Sequence, residues 1–197
     1  MTRLILIRHG VTGWNEEGRY CGRKDIGLSG QGRAQAKKLG KKLEAVRFDK
    51  IYSSDRKRAR ETGRIIFNGA GICRVKELME IDFGALEGLC YEEIMNKHAD
   101  VYEKWLKNPY KNNLPGAEPM NIFKKRVEGA LKRIICMNPG KIVAVVCHGG
   151  VIGVFVNSIL KVKNFWRYIP SPASITVVEH RRGKVRLKKF NDTSHLR

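Results

Sequence analysis

Two short runs of consecutive apolar residues interrupt an otherwise mixed sequence. Residues 4–7 (Leu-Ile-Leu-Ile) and 142–147 (Ile-Val-Ala-Val-Val-Cys) each predict a strand that is buried on both faces. Weaker patterns predict four further strands, at residues 51–53, 73–75, 174–179 and 184–190. The last two alternate in polarity around an Arg-Gly pair and therefore predict a terminal hairpin.

Between these strands, apolar residues recur at helical spacing. Helices are predicted after the capping residue Ser29 and over residues 56–66, 91–106, 120–134 and 151–160, with loops at 13–27 and 108–119. Such alternation of strands and helices is typical of α/β proteins. We therefore expect a three-layer αβα sandwich with a mostly parallel central sheet and an antiparallel C-terminal edge hairpin. One domain is expected to cover residues 1–197.

Each of the two strong strands ends in a histidine followed by glycine. Arg8-His9-Gly10 follows the first, and His148-Gly149-Gly150 follows the second. Ligands of open α/β sheets bind at the carboxyl ends of the strands, and glycine lets the backbone approach a bound group. If the two strands are neighbours, His9 and His148 share one pocket although 139 positions separate them.

Composition narrows the class of protein. The 197 residues are 42% hydrophobic, which suits a single sizeable core. No apolar run approaches the roughly 20 residues of a membrane-spanning helix. The five cysteines are scattered and show no C-x-x-C spacing, which argues against a disulfide framework or a zinc site. These features predict a soluble, cytoplasmic protein.

The charge balance points to anionic ligands. Lys and Arg number 39 against 19 Asp and Glu, which gives a net charge of +20. Such an excess attracts anions and speeds their capture, but it does not name them. Phosphate esters, nucleic acid and acidic lipid surfaces all qualify.

Two histidines, two arginines and a carboxylate at one sheet edge would suit phosphoryl transfer. Arginine matches phosphate oxygens with paired donors, and a neutral imidazole is a competent nucleophile at phosphorus. A second histidine would add positive charge, and a carboxyl group would give the leaving oxygen its proton. Phosphoryl transfer depends mainly on positioning and charge neutralisation. The sequence also has no metal-ligand spacing and no P-loop pattern, so neither a metal nor a cofactor is expected.

Five motifs follow one another along the chain. They are R-H-G-x-T-x-x-N at 8–15, G-x-x-D-x-x-L-S-x-x-G at 22–32, S-S-D with R-A-x-x-T at 53–62, L-x-E-x-x-F-G-x-x-E-G at 78–88 and C-H-G-G at 147–150. In this order they resemble the histidine phosphatase superfamily, also called the phosphoglycerate mutase-like family. The resemblance covers nearly the whole chain and implies a phosphoglycerate mutase-like fold.

The resemblance also implies roles for individual residues. His9 is the expected nucleophile that becomes phosphohistidine, and Glu80 is the expected proton donor to the leaving group and then the base for water. The rest of the expected catalytic set comprises Arg8, Arg58 and His148. The expected substrate contacts are Asn15, Cys21, Gly22 and Gly149. Glu87 matches a common family position and is interpreted as structural.

Several features favour a phosphatase over a mutase. The segment between Gly88 and His148 is short, whereas classical mutases carry a longer insertion there. A shorter segment over the pocket is expected to admit water, which would hydrolyse a phosphohistidine. Residues 114–118 (L-P-G-A-E) resemble the P-G-G-E-S loop of the phosphatase branch, and Cys21 stands where mutases usually have threonine. We therefore expect a metal-independent phosphomonoester hydrolase acting on a small phosphorylated metabolite. The branch includes α-ribazole phosphatases of cobalamin synthesis, which makes α-ribazole 5'-phosphate the first substrate to consider.

Two alternatives stay open. One is a cofactor-dependent phosphoglycerate mutase. The other is a basic nucleic-acid-binding protein, which the net charge favours although the sequence contains no recognised nucleic-acid module. Under the favoured interpretation the partner is a small phosphorylated metabolite, with neither nucleic acid nor membrane involved. The oligomeric state is open, and a homodimer is one option.

Overall fold

The computed structural model describes residues 1–69 and 71–197. The first half contains β1 (Thr2–Arg8), α1 (Gly13–Glu16), α2 (Gly30–Leu43), β2 (Lys50–Ser53), α3 (Lys57–Ile66), β3 (Ile72–Arg74) and α4 (Tyr91–Lys107). The second half contains α5 (Met120–Met137), β4 (Ile142–Cys147), α6 (Gly149–Leu160), β5 (Ile175–Arg181) and β6 (Lys184–Asp192). Short 3-10 turns lie at Lys76–Leu78, Gly84–Leu86, Phe165–Tyr168 and Ser194–Leu196.

In the described part of the chain the six strands form one sheet in the order β3-β2-β4-β1-β5-β6. The pairs β3–β2, β2–β4 and β4–β1 are parallel, whereas β5 is antiparallel to both β1 and β6. The register of β1 on β4 pairs Arg8 with Cys147. The next residue of each strand, His9 and His148, therefore leaves the sheet beside the other.

Helices cover both faces of this sheet, because the side chains of β1 alternate between two apolar layers. Ile5 and Ile7 pack with residues of α2 and α3, including Leu39 and Ala59. Leu4 and Leu6 belong to the larger core on the other face, with residues of α5 and α6 such as Phe123, Val127 and Val151. The predicted three-layer αβα sandwich with its antiparallel edge hairpin is confirmed.

Two predicted boundaries are wrong. The expected loop at 13–27 contains the helix α1, because the side chains of Thr12 and Asn15 each accept a hydrogen bond from the other's backbone N–H. Helix α6 begins at Gly149, two residues earlier than predicted. Both glycines of the Gly149-Gly150 pair lie in the first helical turn, where other residues pack closely against them.

The start of α3 follows Ser54 and Asp55, two residue types that commonly cap helices, yet neither is the N-cap residue. Arg56 occupies the N-cap position and makes no side-chain capping bond. The backbone N–H of Lys57 donates instead to the Oδ1 of Asp25, 2.6 Å away. A carboxylate from a distant loop therefore satisfies a free N–H of this basic helix start, as the positive end of a helix favours.

The loop that follows β1 crosses α2 at a contact between two glycines. A Cβ on Gly32 would lie 2.0 Å from the carbonyl oxygen of Val11, and a Cβ on Gly10 would lie 2.5 Å from the carbonyl oxygen of Gly32. The N–H of Ser29 donates to the same Val11 carbonyl at 3.0 Å. This backbone-to-backbone contact holds the chain directly after His9 against the start of α2.

We expect Gly32→Ala to lower the free energy of unfolding by about 2–3 kcal/mol, because the added methyl overlaps rigid backbone. Gly30→Ala in the same helix is the matched control, since a Cβ there meets nothing within 4 Å. The control is expected to stay within about 0.5 kcal/mol of the parent or to be slightly more stable. Urea denaturation measures both values, and equal midpoints for the two variants would contradict the close contact.

Candidate active site

His9 lies at the carboxyl end of β1 and is 4% exposed. Its backbone N–H donates to Cys147 O at 3.0 Å, and its carbonyl accepts from Ala173 N at 3.0 Å. The Nδ1 lies 2.7 Å from Gly10 O, a contact that requires the proton on Nδ1 and leaves the lone pair on Nε2. Burial lowers the pKa of His9 well below its usual range, and Arg58 and Arg8 lower it further. His9 is therefore a neutral imidazole that carries its lone pair on Nε2.

Arg58 lies in the first turn of α3 and is fully buried. Its Nε donates to the Nε2 of His9 at 3.3 Å. Its other donors reach the carbonyl oxygens of Gly22 at 2.7 Å, Lys24 at 2.9 Å and Cys21 at 3.3 Å. All of these acceptors are neutral, so the guanidinium keeps its full charge beside His9. A buried charge of this kind is stabilised when an anion binds next to it.

His148 is the N-cap residue of α6 and is fully buried. Its ring centroid lies 5.1 Å from that of His9. Its Nε2 lies 2.8 Å from the hydroxyl oxygen of Ser54, whereas its Nδ1 has no hydrogen-bond partner among the described residues. Burial lowers the pKa of His148 well below its usual range, with further lowering by Arg58, His9 and Arg8. One nitrogen of this imidazole is thus held in place and the other is available.

Arg8 completes the positive side of the pocket. Its Nη1 donates to the carbonyl oxygen of Pro170. A Cβ on Gly149 would lie 3.2 Å from the Arg8 Cζ, so the guanidinium packs closely on the first turn of α6. Its Nε is buried and has no partner among the described residues. Burial lowers the pKa of Arg8, and Arg58 lowers it as well, while Glu80 raises it.

Glu80 supplies a carboxylate to the same pocket and is 8% exposed. Its Oε2 accepts from the N–H of Gly150 at 2.8 Å, and its Oε1 accepts from the N–H of Ile81 at 3.0 Å. The first of these donors belongs to the N-terminus of α6, where a negative charge is favoured. A Cβ on Gly150 would lie 2.4 Å from the Glu80 Oε1. The second glycine of the pair is therefore required for the carboxylate to reach the helix.

The expected substrate contacts mostly serve to build the pocket. The Oδ1 of Asn15 accepts from Thr12 N at 3.1 Å. Cys21 is partly exposed, and burial raises the pKa of its thiol. The N–H of Gly22 donates to the Oε2 of Glu87 at 3.2 Å, and its carbonyl holds Arg58. The structure thus places Cys21 and Gly22 at the pocket through their backbone, and Gly149 under Arg8.

The interpretation of Glu87 as structural agrees with its contacts. Its carboxylate accepts from the backbone N–H of Gly22, of Arg23 at 2.7 Å and of Phe83 at 3.3 Å. These bonds join the loop that follows α1 to the acidic segment that contains Glu80. The carboxylate of Glu87 is consequently occupied by backbone donors from two segments.

Three residues support the pocket that the sequence analysis did not assign to it. Ser54 contacts His148, and Pro170 contacts Arg8 through its carbonyl. The Nη2 of Arg126 donates to the backbone oxygen of Glu80 at 3.0 Å, and its Nη1 to that of Met79 at 2.7 Å. Ser54 follows a predicted strand directly, which was a usable signal. The contact of Pro170 is made by its backbone carbonyl, which a pattern of side chains cannot predict.

Two kinds of feature are absent from residues 1–69 and 71–197. No three His, Cys, Asp or Glu side chains there lie close enough together to hold a metal ion. No helix there combines the length and the apolar character that crossing a membrane requires.

The pocket as a whole concentrates positive charge and hydrogen-bond donors around two neutral imidazoles. Arg8 and Arg58 supply the positive charge, His9 and His148 lie beside each other, and Glu80 is the one carboxylate among these five residues. A tetrahedral dianion such as a phosphate group suits this arrangement in charge and in donor geometry.

Comparison with known proteins gives the same assignment. A sequence model of the histidine phosphatase superfamily (branch 1) matches residues 4–193. Phosphoserine phosphatase 1 of Hydrogenobacter thermophilus is 33% identical over 200 residues, which cover all of this chain and 95% of that protein. The match therefore runs through every motif that forms the pocket.

Solved structures share the fold. YhfR of Bacillus stearothermophilus superimposes with a TM-score of 0.94 and 30% identity over the full length of both chains. A putative alpha-ribazole-5'-P phosphatase from Escherichia coli gives a TM-score of 0.89 at 26% identity, covering 97% of this chain and 96% of that one. The predicted family and the phosphoglycerate mutase-like fold are thereby confirmed. The chain belongs to the histidine phosphatase superfamily, branch 1, and is an enzyme of the phosphatase class.

Proposed function

We propose that this enzyme hydrolyses the phosphomonoester of a small metabolite through a phosphohistidine formed on His9, without a metal. The observation that carries the proposal is the state of the His9 ring. Its Nδ1–H is held on Gly10 O, and its Nε2 lone pair faces the buried Arg58 at 3.3 Å and the ring of His148. An imidazole held in one tautomer beside buried arginines is set up for attack on phosphorus.

In the first step, the His9 Nε2 attacks phosphorus and the bond between phosphorus and the leaving oxygen breaks. Glu80 gives its proton to that oxygen, so that a neutral alcohol departs. Arg8, Arg58 and His148 stabilise the negative charge on the three remaining phosphoryl oxygens. Because His9 is neutral before the attack, no proton has to be removed from Nε2.

In the second step, Glu80 removes a proton from a water molecule, whose oxygen attacks the phosphohistidine. The bond between phosphorus and Nε2 breaks, inorganic phosphate forms, and the His9 lone pair is restored. Glu80 then again carries the proton that the next cycle requires. The backbone bonds from Ile81 and Gly150 keep the carboxyl group in one position through both steps.

In this scheme, the contact with Ser54 determines which ring nitrogen of His148 carries the proton. The Ser54 oxygen accepts from the N–H of Arg56 at 3.3 Å, so its own proton is free to be donated to the Nε2 of His148. The imidazole proton then resides on Nδ1, the buried nitrogen without a partner among the described residues. A neutral His148 thus offers an N–H to a phosphoryl oxygen, although burial lowers its pKa.

The names of the relatives supply two substrates to compare. Phosphoserine comes from the relative that is 33% identical over the full chain, and α-ribazole 5'-phosphate from the solved structure at 26% identity. The higher identity favours phosphoserine as the first substrate to assay, and α-ribazole 5'-phosphate stays a prediction. Both are small monoesters whose leaving oxygen requires the proton of Glu80.

We expect His9→Ala to lower kcat for p-nitrophenyl phosphate by at least about 10³-fold in the presence of EDTA and to abolish the acid-labile phosphoenzyme. His180→Ala, on β5, is the control and is expected to keep parental activity. Rates on phosphoserine, α-ribazole 5'-phosphate and 3-phosphoglycerate rank the substrates. Full turnover by His9→Ala, or conversion of 3-phosphoglycerate to its 2-isomer without phosphate release, would refute the proposal.

We expect Ser54→Ala to lower kcat by about 10- to 100-fold, because His148 loses the partner that fixes its tautomer. Ser53→Ala is the matched control, since the Ser53 hydroxyl is equally buried but donates to a backbone carbonyl instead. The ¹⁵N shifts of the His148 ring are expected to report the proton on Nδ1 in the parent and a mixture in Ser54→Ala. A parental proton on Nε2 would contradict the assignment.

The rate of phosphoenzyme formation is expected to stay constant as the pH falls from 8 through about 6.5, the usual pKa of histidine. The reason is that burial and the arginines lower the pKa of His9, so protonation of its Nε2 begins only at more acidic pH. Single-turnover rapid quench with p-nitrophenyl phosphate measures this rate, because its good leaving group reduces the dependence on Glu80. A half-maximal rate near pH 6.5 would show that His9 titrates normally.

A further inference from the structure

A second cavity, of about 990 Å³, lies at the far end of α6. Its walls come from α5, from residues 106–111 and from residues 157–166. Helix α6 starts at the active site and is 12 residues long, which places its other end about 18 Å away. The described residues that line this cavity include none of the proposed catalytic residues. It is therefore a separate site.

The lining is far more basic than the chain as a whole. Six lysines line the cavity, namely Lys107, Lys111, Lys124, Lys132, Lys161 and Lys163. The single acid in the lining, Glu128, lies 3.8 Å from the Nζ of Lys124 and 3.8 Å from the Nζ of Lys132. The whole chain has about two basic residues for each acidic one, from 39 and 19. Clustered ammonium groups of this kind bind phosphate groups as point charges.

Aromatic rings form the other part of the lining. Trp166, Tyr110, Phe155 and Phe165 contribute to it. The Trp166 ring is fixed, because its Nε1 donates to Leu106 O at 3.0 Å and its edge packs against Trp105 with ring centroids 4.9 Å apart. A rigid ring beside lysines is the combination that binds a planar base attached to phosphates.

Asn157 adds a hydrogen-bond acceptor to the wall. Its side chain is 3% exposed, and its Nδ2 donates to the carbonyl of Phe165 at 3.0 Å. Its Oδ1 has no donor among the described residues. Buried acceptors are normally satisfied, so this oxygen suits a ligand that brings an N–H group.

We propose that this cavity binds a nucleoside polyphosphate. The lysines contact the phosphates, the aromatic wall contacts the base, and an amino group of the base satisfies Asn157. The volume falls at the upper end of the range of about 300–1,000 Å³ that is typical of small-molecule sites. A simple anion would leave the aromatic part of the cavity unused.

The test measures binding of ADP by calorimetry, with the active site blocked by saturating orthovanadate. We expect saturable binding that Lys111→Gln/Lys163→Gln weakens about tenfold, since both side chains are exposed and each phosphate contact is modest. The matched control is Lys37→Gln/Lys41→Gln on α2, which removes the same charge from another surface and is expected to change the Kd less than twofold. Pyrophosphate is expected to bind about tenfold more weakly than ADP, because it has the same number of phosphates but lacks the base.

Four results would overturn the proposal. These are the absence of binding at millimolar ADP, loss of ADP binding when vanadate is added, equal weakening by the two double variants, and equal affinity for ADP and pyrophosphate. Tighter binding of single-stranded RNA, with an affinity that grows with its length, would also overturn it in favour of a nucleic-acid surface. Because binding is read without turnover, these results do not depend on the hydrolytic mechanism.

Discussion

The parallel pairing of β1 with β4 is the constraint on which the rest of the structure depends. Arg8 pairs with Cys147, so the two strands end at the same level of the sheet. His9 and His148, the residues that follow, therefore have ring centroids 5.1 Å apart. A shift of one residue would turn every side chain of β1 to the opposite layer. Both strands are buried on both faces, which opposes such a shift. The packing of the core therefore sets the geometry of the reactive groups.

The pocket is stabilised by backbone rather than by counter-charges. Carbonyl oxygens of Gly22, Lys24 and Pro170 accept from the two arginines. The backbone N–H groups of Ile81 and Gly150 hold the carboxylate of Glu80. Backbone dipoles satisfy the guanidinium donors without cancelling their charge. The pocket consequently keeps a strong preference for an anion. Burial, with an added effect of the two arginines, lowers the pKa of both imidazoles.

Helix α6 links the two candidate sites. Its glycine-rich first turn allows Arg8 and Glu80 to approach, and its last turn contributes Asn157 and Ser158 to the lysine-lined cavity. The segment after it returns along the same helix. Trp166 lines the cavity, and Ile169 packs on Gly153, where a Cβ would lie 2.7 Å from the Ile169 Cδ1. Helix α6 and the segment that follows it thus extend from one site to the other.

The sequence by itself determined the family, the layer architecture and the residues with chemistry at the strand ends. Apolar runs and glycine positions are local properties that predicted His9 and His148 at the ends of two buried strands. The expected roles of Arg58 and Glu80 came from the family resemblance that the order of the motifs carries. The tertiary structure alone decided the capping of α3 by Asp25, the contact of Ser54 with His148 and the lysine-lined cavity. Each of these features joins groups from separate segments of the chain. The sequence pattern does not show which distant groups become neighbours after folding.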